Sequence, residues 1–366
     1  MKSTKKKNLV FVIGSLSGGG AERVVSILSN GLVDFYNVSI ICIFENKVEY
    51  DINPNINYKF IDLSNQKGII KKNIKRLVIM SEQIKEANAD VIISFLSYVN
   101  IFVLISQFFS RKKIIICERN DPNSEITNKF LQKFRNFLFS FRRRNYFVFQ
   151  TEYVKNMFSK KIQRNSIVIY NPIKSTLPVR NVNSNIKKKI VCVARLDPSK
   201  NISLLLKAFS LFIQVKNDYI LEIYGKGPLL NELNQLSNEL KISEKVFFRG
   251  FSSNIFECIE DSEMFVLPSN YEGISNAMLE AMAIGIPVIC TDCPAYGARI
   301  FIKPGVNGFL TELDNIQMLY EKMLLISENK ELQISSIMSA EKLQKQLSEE
   351  RIVRSWVNFI DKVGDL

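Results

Sequence analysis

Short apolar runs alternate with longer mixed runs along the whole chain. In the first half the apolar runs are "NLVFVIGSL", "NVSIICIF", "DVIISFL", "KIIICERND", "YFVFQT" and "SIVIYNPI". A second series follows: "KIVCVARL", "YILEIYGKG", "KVFFRGF", "MFVLPS" and "IPVICTD". These runs are continuously apolar rather than alternating, which fits strands buried on both faces. Such strands belong to parallel sheets covered by crossover helices. The polar stretch "VRNVNSNIKKK" (179–189) separates the two series. The pattern therefore predicts two doubly wound α/β domains, 1–178 and 187–348; residues 349–366 are expected to form a C-terminal helix packing back on the first domain. In this architecture a ligand sits at the carboxyl ends of the strands, in the cleft between the domains.

Two segments imitate membrane signals. The N-terminus is basic and then apolar, but its apolar run breaks into "SGGG" without a small-residue cleavage site, so it reads as the first strand. Residues 91–109 contain no charge. Polar Ser94, Ser97, Tyr98, Asn100, Ser106 and Gln107 spread through them argue for a strand and a short helix over a span.

Composition narrows the chemistry. None of the 366 residues is histidine, which excludes Ser-His-Asp and Cys-His catalysis. Cys290 and Cys293 form one C-x-x-C with no second pair to complete a zinc site, and no D-x-D run is present. Charge is uneven. Residues 1–180 carry 29 Lys and Arg against 13 Asp and Glu, whereas residues 181–366 carry 20 against 23. Two domains with different partners follow from that asymmetry.

The strands of the second half end in unusual loops. Arg195 and Lys200 stand five apart in "RLDPSKN", and "KGP" and "FSSN" follow the next two strands. Cations, glycines and a helix start converging on one cleft suit a diphosphate. In "NYEGISNAMLEAMAIGIPVI", Ser275 caps a helix from Asn276 to about Ile284, and Gly285 with Pro287 stops it. Glu272 then lies in a loop and Glu280 in the helix. Buried carboxylates need partners, and the vicinal hydroxyls of a sugar and a ribose supply them. In the first half, "SLSGGGAER" is a glycine-rich turn from strand to helix, with neither Rossmann nor Walker spacing.

Taken in order, "GGGAER", "VARLDPSKN", "IYGKGP", "VFFRGF", Glu272 and Glu280 as E-x7-E, "GIPVICTD" and "GVNGFL" resemble the family 4 glycosyltransferases, of GT-B fold and bacterial surface-polysaccharide type. The resemblance implies two Rossmann-like domains facing a central cleft. It implies a retaining, metal-independent, cofactor-free transfer of a hexose or N-acetylhexosamine from a nucleotide diphosphate sugar. UDP-sugars come first as donor, with GDP-mannose as the alternative. Arg195 and Lys200 would bind the diphosphate, Glu280 the ribose hydroxyls, and Glu272 the donor sugar. Backbone N–H groups of Gly273, Ile274, Ser275 and Asn276 would hold the sugar and distal phosphate. Gly19 and Gly20 would approach the diphosphate, Gly225 would line the donor site, and Gly250 and Phe251 would lie near the base. Many relatives place a histidine in the first domain facing the donor sugar; the comparable loop here is "CERNDPN" (117–123), with Glu118, Arg119 and Asn120 as acceptor-side candidates. A front-face mechanism follows, in which the leaving phosphate takes the acceptor proton and Arg195 and Lys200 stabilise its charge.

The resemblance implies an undecaprenyl-diphosphate-linked oligosaccharide or similar acceptor. Residues 128–145 suit that. They carry Lys129, Lys133, Arg135, Arg142, Arg143 and Arg144, place Phe130, Phe134, Phe137 and Phe141 at helical spacing, and contain no acid. A basic amphipathic helix of this kind fits an anionic bilayer, and predicts a cytoplasmic protein peripheral to the inner face of the cell membrane. Three other readings compete: a sugar-nucleotide epimerase on the same fold; a dehydrogenase using Glu45 for a ribose; and a non-enzymatic nucleic-acid binder, which charge alone would suggest. None of them accounts for Glu272, Glu280 and the second-domain loops together, and no nucleic-acid partner is expected.

Overall fold

The computed structural model describes residues 6–142, 144–174, 177–182, 185–252 and 254–365. Arg143 of the basic stretch, and Asn183 and Ser184 of the expected linker, lie outside them. The chain divides into two compact units, Met1–Pro172 with Glu349–Leu366, and Ile173–Ser348. The division falls just after Asn171-Pro172, ahead of the polar stretch at 179–189. Arg180 is tied to unit 2 by hydrogen bonds to the Glu260, Ser262 and Ile284 backbone.

In unit 1, β1 (Asn8–Ile13), α1 (Gly20–Leu32), β2 (Asn37–Cys42), β3 (Asn57–Phe60), α2 (Ile69–Glu86), β4 (Val91–Phe95), α3 (Ser97–Ser106), β5 (Lys113–Cys117), α4 (Lys129–Phe141), β6 (Asn145–Phe149) and β7 (Ser166–Val168) build a seven-stranded sheet of order β3-β2-β1-β4-β5-β6-β7. All pairings are parallel, with β1 between β2 and β4 in the register Phe11↔Ile40 and Phe11↔Ile93. The step from β1 to β2 runs one way along the sheet, and those from β3 through β6 run the other. Right-handed crossovers therefore place α1 on one face and α2, α3 and α4 on the opposite face.

Unit 2 holds β8 (Lys187–Val193), α5 (Ile202–Val215), β9 (Ile220–Tyr224), β10 (Val246–Gly250), β11 (Ser262–Leu267), α6 (Asn276–Ile284), β12 (Val288–Thr291), β13 (Gly308–Thr311) and α7 (Lys330–Leu347), with sheet order β10-β9-β8-β11-β12-β13. The final helix, α8 (Glu349–Asp365), returns to unit 1 and packs on α1. A methyl added to Gly31 of α1 would stand 2.5 Å from Val353, so only glycine permits that approach. Trp356 is fully buried and stacks on Phe95 at 6.1 Å. The uncharged run 91–109 is β4 followed by α3, and among the described residues no helix is long and apolar enough to cross a membrane.

The 128–145 segment departs from a simple solvated amphipathic helix. Arg135 is buried, donating to the Pro122 carbonyl at 2.7 Å, and Phe139 lies in the core. Arg142 donates to the carbonyls of Gln107, Ser110 and Lys112 at 2.6–2.9 Å and so closes the end of α3. These two cations are spent on backbone carbonyls. Phe130, Phe137 and Phe141 are exposed.

Candidate active site

Sheet order fixes where ligands go. In unit 2 the crossovers reverse direction between β8 and β11, so a crevice opens at their carboxyl ends. The loops that leave those two strands are 194–201 and 268–275. They carry Arg195, Lys200 and Glu272.

The first loop is held by backbone geometry. Ala194 and Leu196 N–H groups bond the carbonyls of Tyr224 and Lys226 at 2.9 and 3.0 Å. A methyl on Gly225 would sit 1.8 Å from the Ala194 carbonyl oxygen, and its φ of +138° also demands glycine. The Asp197 carboxylate accepts from the Ser199 N–H at 2.9 Å and caps a 3-10 turn, Pro198–Lys200. The second loop docks on it through Asn270, whose N–H meets the Ser199 carbonyl at 2.8 Å and whose amide meets that of Pro198 at 2.9 Å.

This docking brings Lys200 and Glu272, 72 positions apart in sequence, into an ion pair. Their side chains are only 14% and 20% exposed. Arg195 is exposed and 3.3 Å from Asp197. Gly273, Ile274 and Ser275 are buried, Asn276 is half-buried, and the Ser275 hydroxyl accepts from Met278 N–H at 3.3 Å as the cap of α6. Gly285, at φ +97°, ends that helix against Ile337 of α7. Glu280 is 4% exposed within it. Gly250 reaches the neighbouring loop by accepting from the Gly225 N–H at 2.8 Å. Phe251 is exposed, with the Lys226 ammonium 6.0 Å from its ring centre.

Behind the pair lie three thiols. Burial pushes Cys192 and Cys293 up to about 12, and Cys290 rises well above the usual thiol range. The Glu272 charge adds to the rise in Cys290 and Cys293. They are inert packing groups at neutral pH. Among the described residues no three His, Cys, Asp or Glu side chains come together as metal ligands.

In unit 1 the direction reverses between β1 and β4. The glycine-rich turn leaves β1 here. Gly18 has φ +57°, and Gly19 caps α1 with a carbonyl that accepts from the Tyr50 hydroxyl at 3.0 Å. Glu45 accepts from Ser17 in this turn at 3.4 Å. After β4, Leu96 holds φ +78°. Glu118 is buried and accepts from Ser97 Oγ at 2.6 Å and Asn100 Nδ2 at 2.8 Å. Glu125 shares the Ser97 hydroxyl at 3.0 Å. Burial, then the Glu118 charge, push Glu125 up to about 7, and burial raises Glu118 as well. Arg119 is buried over Phe95 at 4.6 Å, near Trp356 at 5.9 Å, and donates to Asn171 at 3.2 Å. Asn120 is half-buried. Glu118 and Arg119 are thus engaged inside unit 1. Ser97, Asn100 and Glu125 were not among the candidates read from sequence; the polar residues inside the uncharged run 91–109 were the only signal for the first two.

Residues 175–346 match the family model described as glycosyl transferases group 1. The chain is 28% identical to the N-acetylgalactosamine-N,N'-diacetylbacillosaminyl-diphospho-undecaprenol 4-alpha-N-acetylgalactosaminyltransferase of Campylobacter jejuni, over 97% of this chain and 99% of that one. It is 25% identical to a second Campylobacter jejuni protein, a GalNAc-alpha-(1->4)-GalNAc-alpha-(1->3)-diNAcBac-PP-undecaprenol alpha-1,4-N-acetyl-D-galactosaminyltransferase, over 96% and 98%. The crystal structure of Anabaena HepE with UDP and glucose superposes with a TM-score of 0.84 at 18% identity, covering 97% of this chain and 99% of that chain. That likeness gives the fold, two Rossmann-like domains of the GT-B type.

Proposed function

We propose, from the match of residues 175–346 to the glycosyl transferases group 1 family, that the chain is a retaining, metal-independent hexosyltransferase. Its donor is a UDP-sugar, with GDP-mannose as the alternative, and its acceptor an undecaprenyl-diphosphate-linked oligosaccharide or a growing surface polysaccharide. The relatives' names support this: two are alpha-N-acetylgalactosaminyltransferases named for undecaprenol-linked glycans. The epimerase and nucleic-acid readings gain nothing from the comparisons.

The observation that carries the reading is the Lys200–Glu272 pair, with Arg195 in the same loop as Lys200, at the switch point of unit 2. A nucleotide sugar satisfies all three. Its diphosphate takes the two cations, and a sugar hydroxyl takes the carboxylate released from Lys200. Glu280 receives the ribose hydroxyls, and the loop at Gly250 and Phe251 lies near the base. In the transfer, the bond from the anomeric carbon to the phosphate oxygen breaks as the acceptor oxygen bonds to the same face. The acceptor proton passes to the departing phosphate, whose charge Arg195 and Lys200 stabilise. The protein works in the cytoplasm, peripheral to the membrane, with residues 128–145 facing anionic lipid; exposed Phe130, Phe137 and Phe141 support that.

The test is transfer by the purified protein from a panel of UDP-sugars and GDP-mannose to a lipid-diphosphate oligosaccharide. An alpha-linked product with stoichiometric nucleotide release is expected, and metal chelation leaves it unchanged. Isomerised nucleotide sugar without acceptor would overturn the reading. In the same assay Arg195→Ala loses turnover by about a hundredfold, the scale of one lost transition-state charge contact.

A further inference from the structure

The segment 118–125 leaves β5 and comes back to where it started. Glu118 and Glu125, at its two ends, both reach the Ser97 hydroxyl, at 2.6 and 3.0 Å. Between them lie Arg119 and Asn120, the acceptor-side candidates, and a single turn of helix, Pro122–Glu125, capped by Asp121. One serine at the start of α3 thus fastens both ends of this loop.

A count of protons sets the charge of that junction. Ser94 Oγ donates to Asn100 Oδ1 at 2.6 Å, which turns Asn100 Nδ2 toward Glu118 Oε1 at 2.8 Å. Glu118 therefore receives a donor on each oxygen, one from Asn100 and one from Ser97. Ser97 has a single hydroxyl proton, and the shorter contact takes it. The contact to Glu125 then needs a proton of its own, which the Glu125 carboxyl supplies: a neutral acid donating to Ser97 Oγ, beside an ionised Glu118. Burial and then the Glu118 charge support this, pushing Glu125 up to about 7. The charged groups facing Glu125 are Glu118 at the end of β5 and Arg135 of α4, while α3 presents Ser97 and Asn100. Asp121 faces the same guanidinium from within the loop. Arg135 already answers Glu118 and Asp121, so an ionised Glu125 would be a third carboxylate on one cation.

We propose that Glu125 is a positioning residue: as a neutral acid it holds the loop 119–124 closed through Ser97, and its ionisation releases that loop and weakens acceptor binding. The inference rests on the transfer reading above and adds to it a residue and a pH response. Two ionised carboxylates would compete for one hydroxyl proton and repel across it, so the returning end of the loop loses its contact. The donor site of unit 2 takes no part in this.

Two measurements on the full chain, each at pH 6 and pH 8, test it. Hydrogen exchange of the 119–124 amides, corrected for the intrinsic pH dependence of exchange, reads the loop without turnover. Steady-state transfer from a UDP-sugar to a lipid-diphosphate oligosaccharide reads acceptor KM and kcat separately. With Glu125 titrating at about 7, the closed fraction falls from about nine-tenths to about one-tenth over that range. Exchange and acceptor KM are both expected to rise about tenfold, while kcat and donor KM hold. Glu125→Gln, whose amide donates to Ser97 at either pH, keeps the low values at pH 8; a melting temperature above that of the assay verifies its fold. Exchange in wild type that does not change with pH overturns the inference, as does a Glu125→Gln variant that keeps the wild-type response. Exchange that rises while acceptor KM stays flat also overturns it, and leaves the transfer reading standing. Absence of transfer from every donor overturns the transfer reading and the positioning role with it, and the exchange arm still decides whether the loop closes through Glu125.

Discussion

A Glu272→Ala substitution leaves the Lys200 ammonium in its loop junction without an anion. The Lys200 side chain is 14% exposed, and Ser269 Oγ is 3.4 Å from the carboxylate that would be lost. Breaking a fully buried pair costs about 3–5 kcal/mol; the residual exposure of both partners brings this nearer to about 1–2 kcal/mol. For a unit of this size that lowers the melting temperature by roughly 3–6 °C. In the proposed donor placement UDP brings its own negative charge to the same ammonium. The variant should therefore regain the lost stability when UDP is added, and bind UDP a fewfold more tightly than wild type, since one repelling charge worth about 1 kcal/mol has gone. Turnover moves the other way, falling by about a hundredfold or more as the sugar loses its carboxylate contact. The assay is a thermal-shift titration with UDP beside steady-state transfer. Equal UDP-induced shifts in wild type and variant would refute the reasoning, because Lys200 would then not be the group that exchanges Glu272 for a phosphate.

Glu280→Ala should weaken UDP affinity by about tenfold with a smaller effect on the chemical step, as measured by calorimetry against single-turnover rates. Gly225→Ala should destabilise unit 2 or prevent soluble expression, since its methyl meets the Ala194 carbonyl at 1.8 Å and its φ is +138°. Glu125, raised to about 7, favours the folded state while protonated. Its contribution is complete below the usual carboxylate range and is lost as pH rises through about 7. Urea unfolding should show stability falling by about 2–3 kcal/mol from pH 5 to 8 in wild type, a slope that Glu125→Gln flattens.

The strands were legible because each is a continuous apolar run, and α6 was legible to the residue because Ser275 and Gly285 are chemically distinct stops. Partner choice was not. Nothing in the sequence pairs Lys200 with Glu272; the pairing comes from Asn270 docking on the 198–199 backbone, a contact of loops with no periodicity. Arg135 and Phe139 show a second limit. Helical spacing identifies faces, but only the sheet beneath decides which face is inward, so a cation counted toward the membrane turned out to hold the Pro122 carbonyl. The Glu118–Ser97–Glu125 contacts join the ends of β4 and β5 and have no local signature.

Helix α8 gives the chain an assembly order. Unit 2 is a continuous segment, whereas unit 1 is closed by Trp356, Phe359 and Ile360, which are made after the whole of unit 2. The segment up to Pro172 therefore leaves the exit tunnel with Phe95 and one face of α1 uncovered, and waits for the whole of unit 2 to be made before its core is sealed. A protein built this way is finished from its middle outward. A stop codon a few residues into α8 would spare unit 2 while leaving unit 1 open to proteases and chaperones.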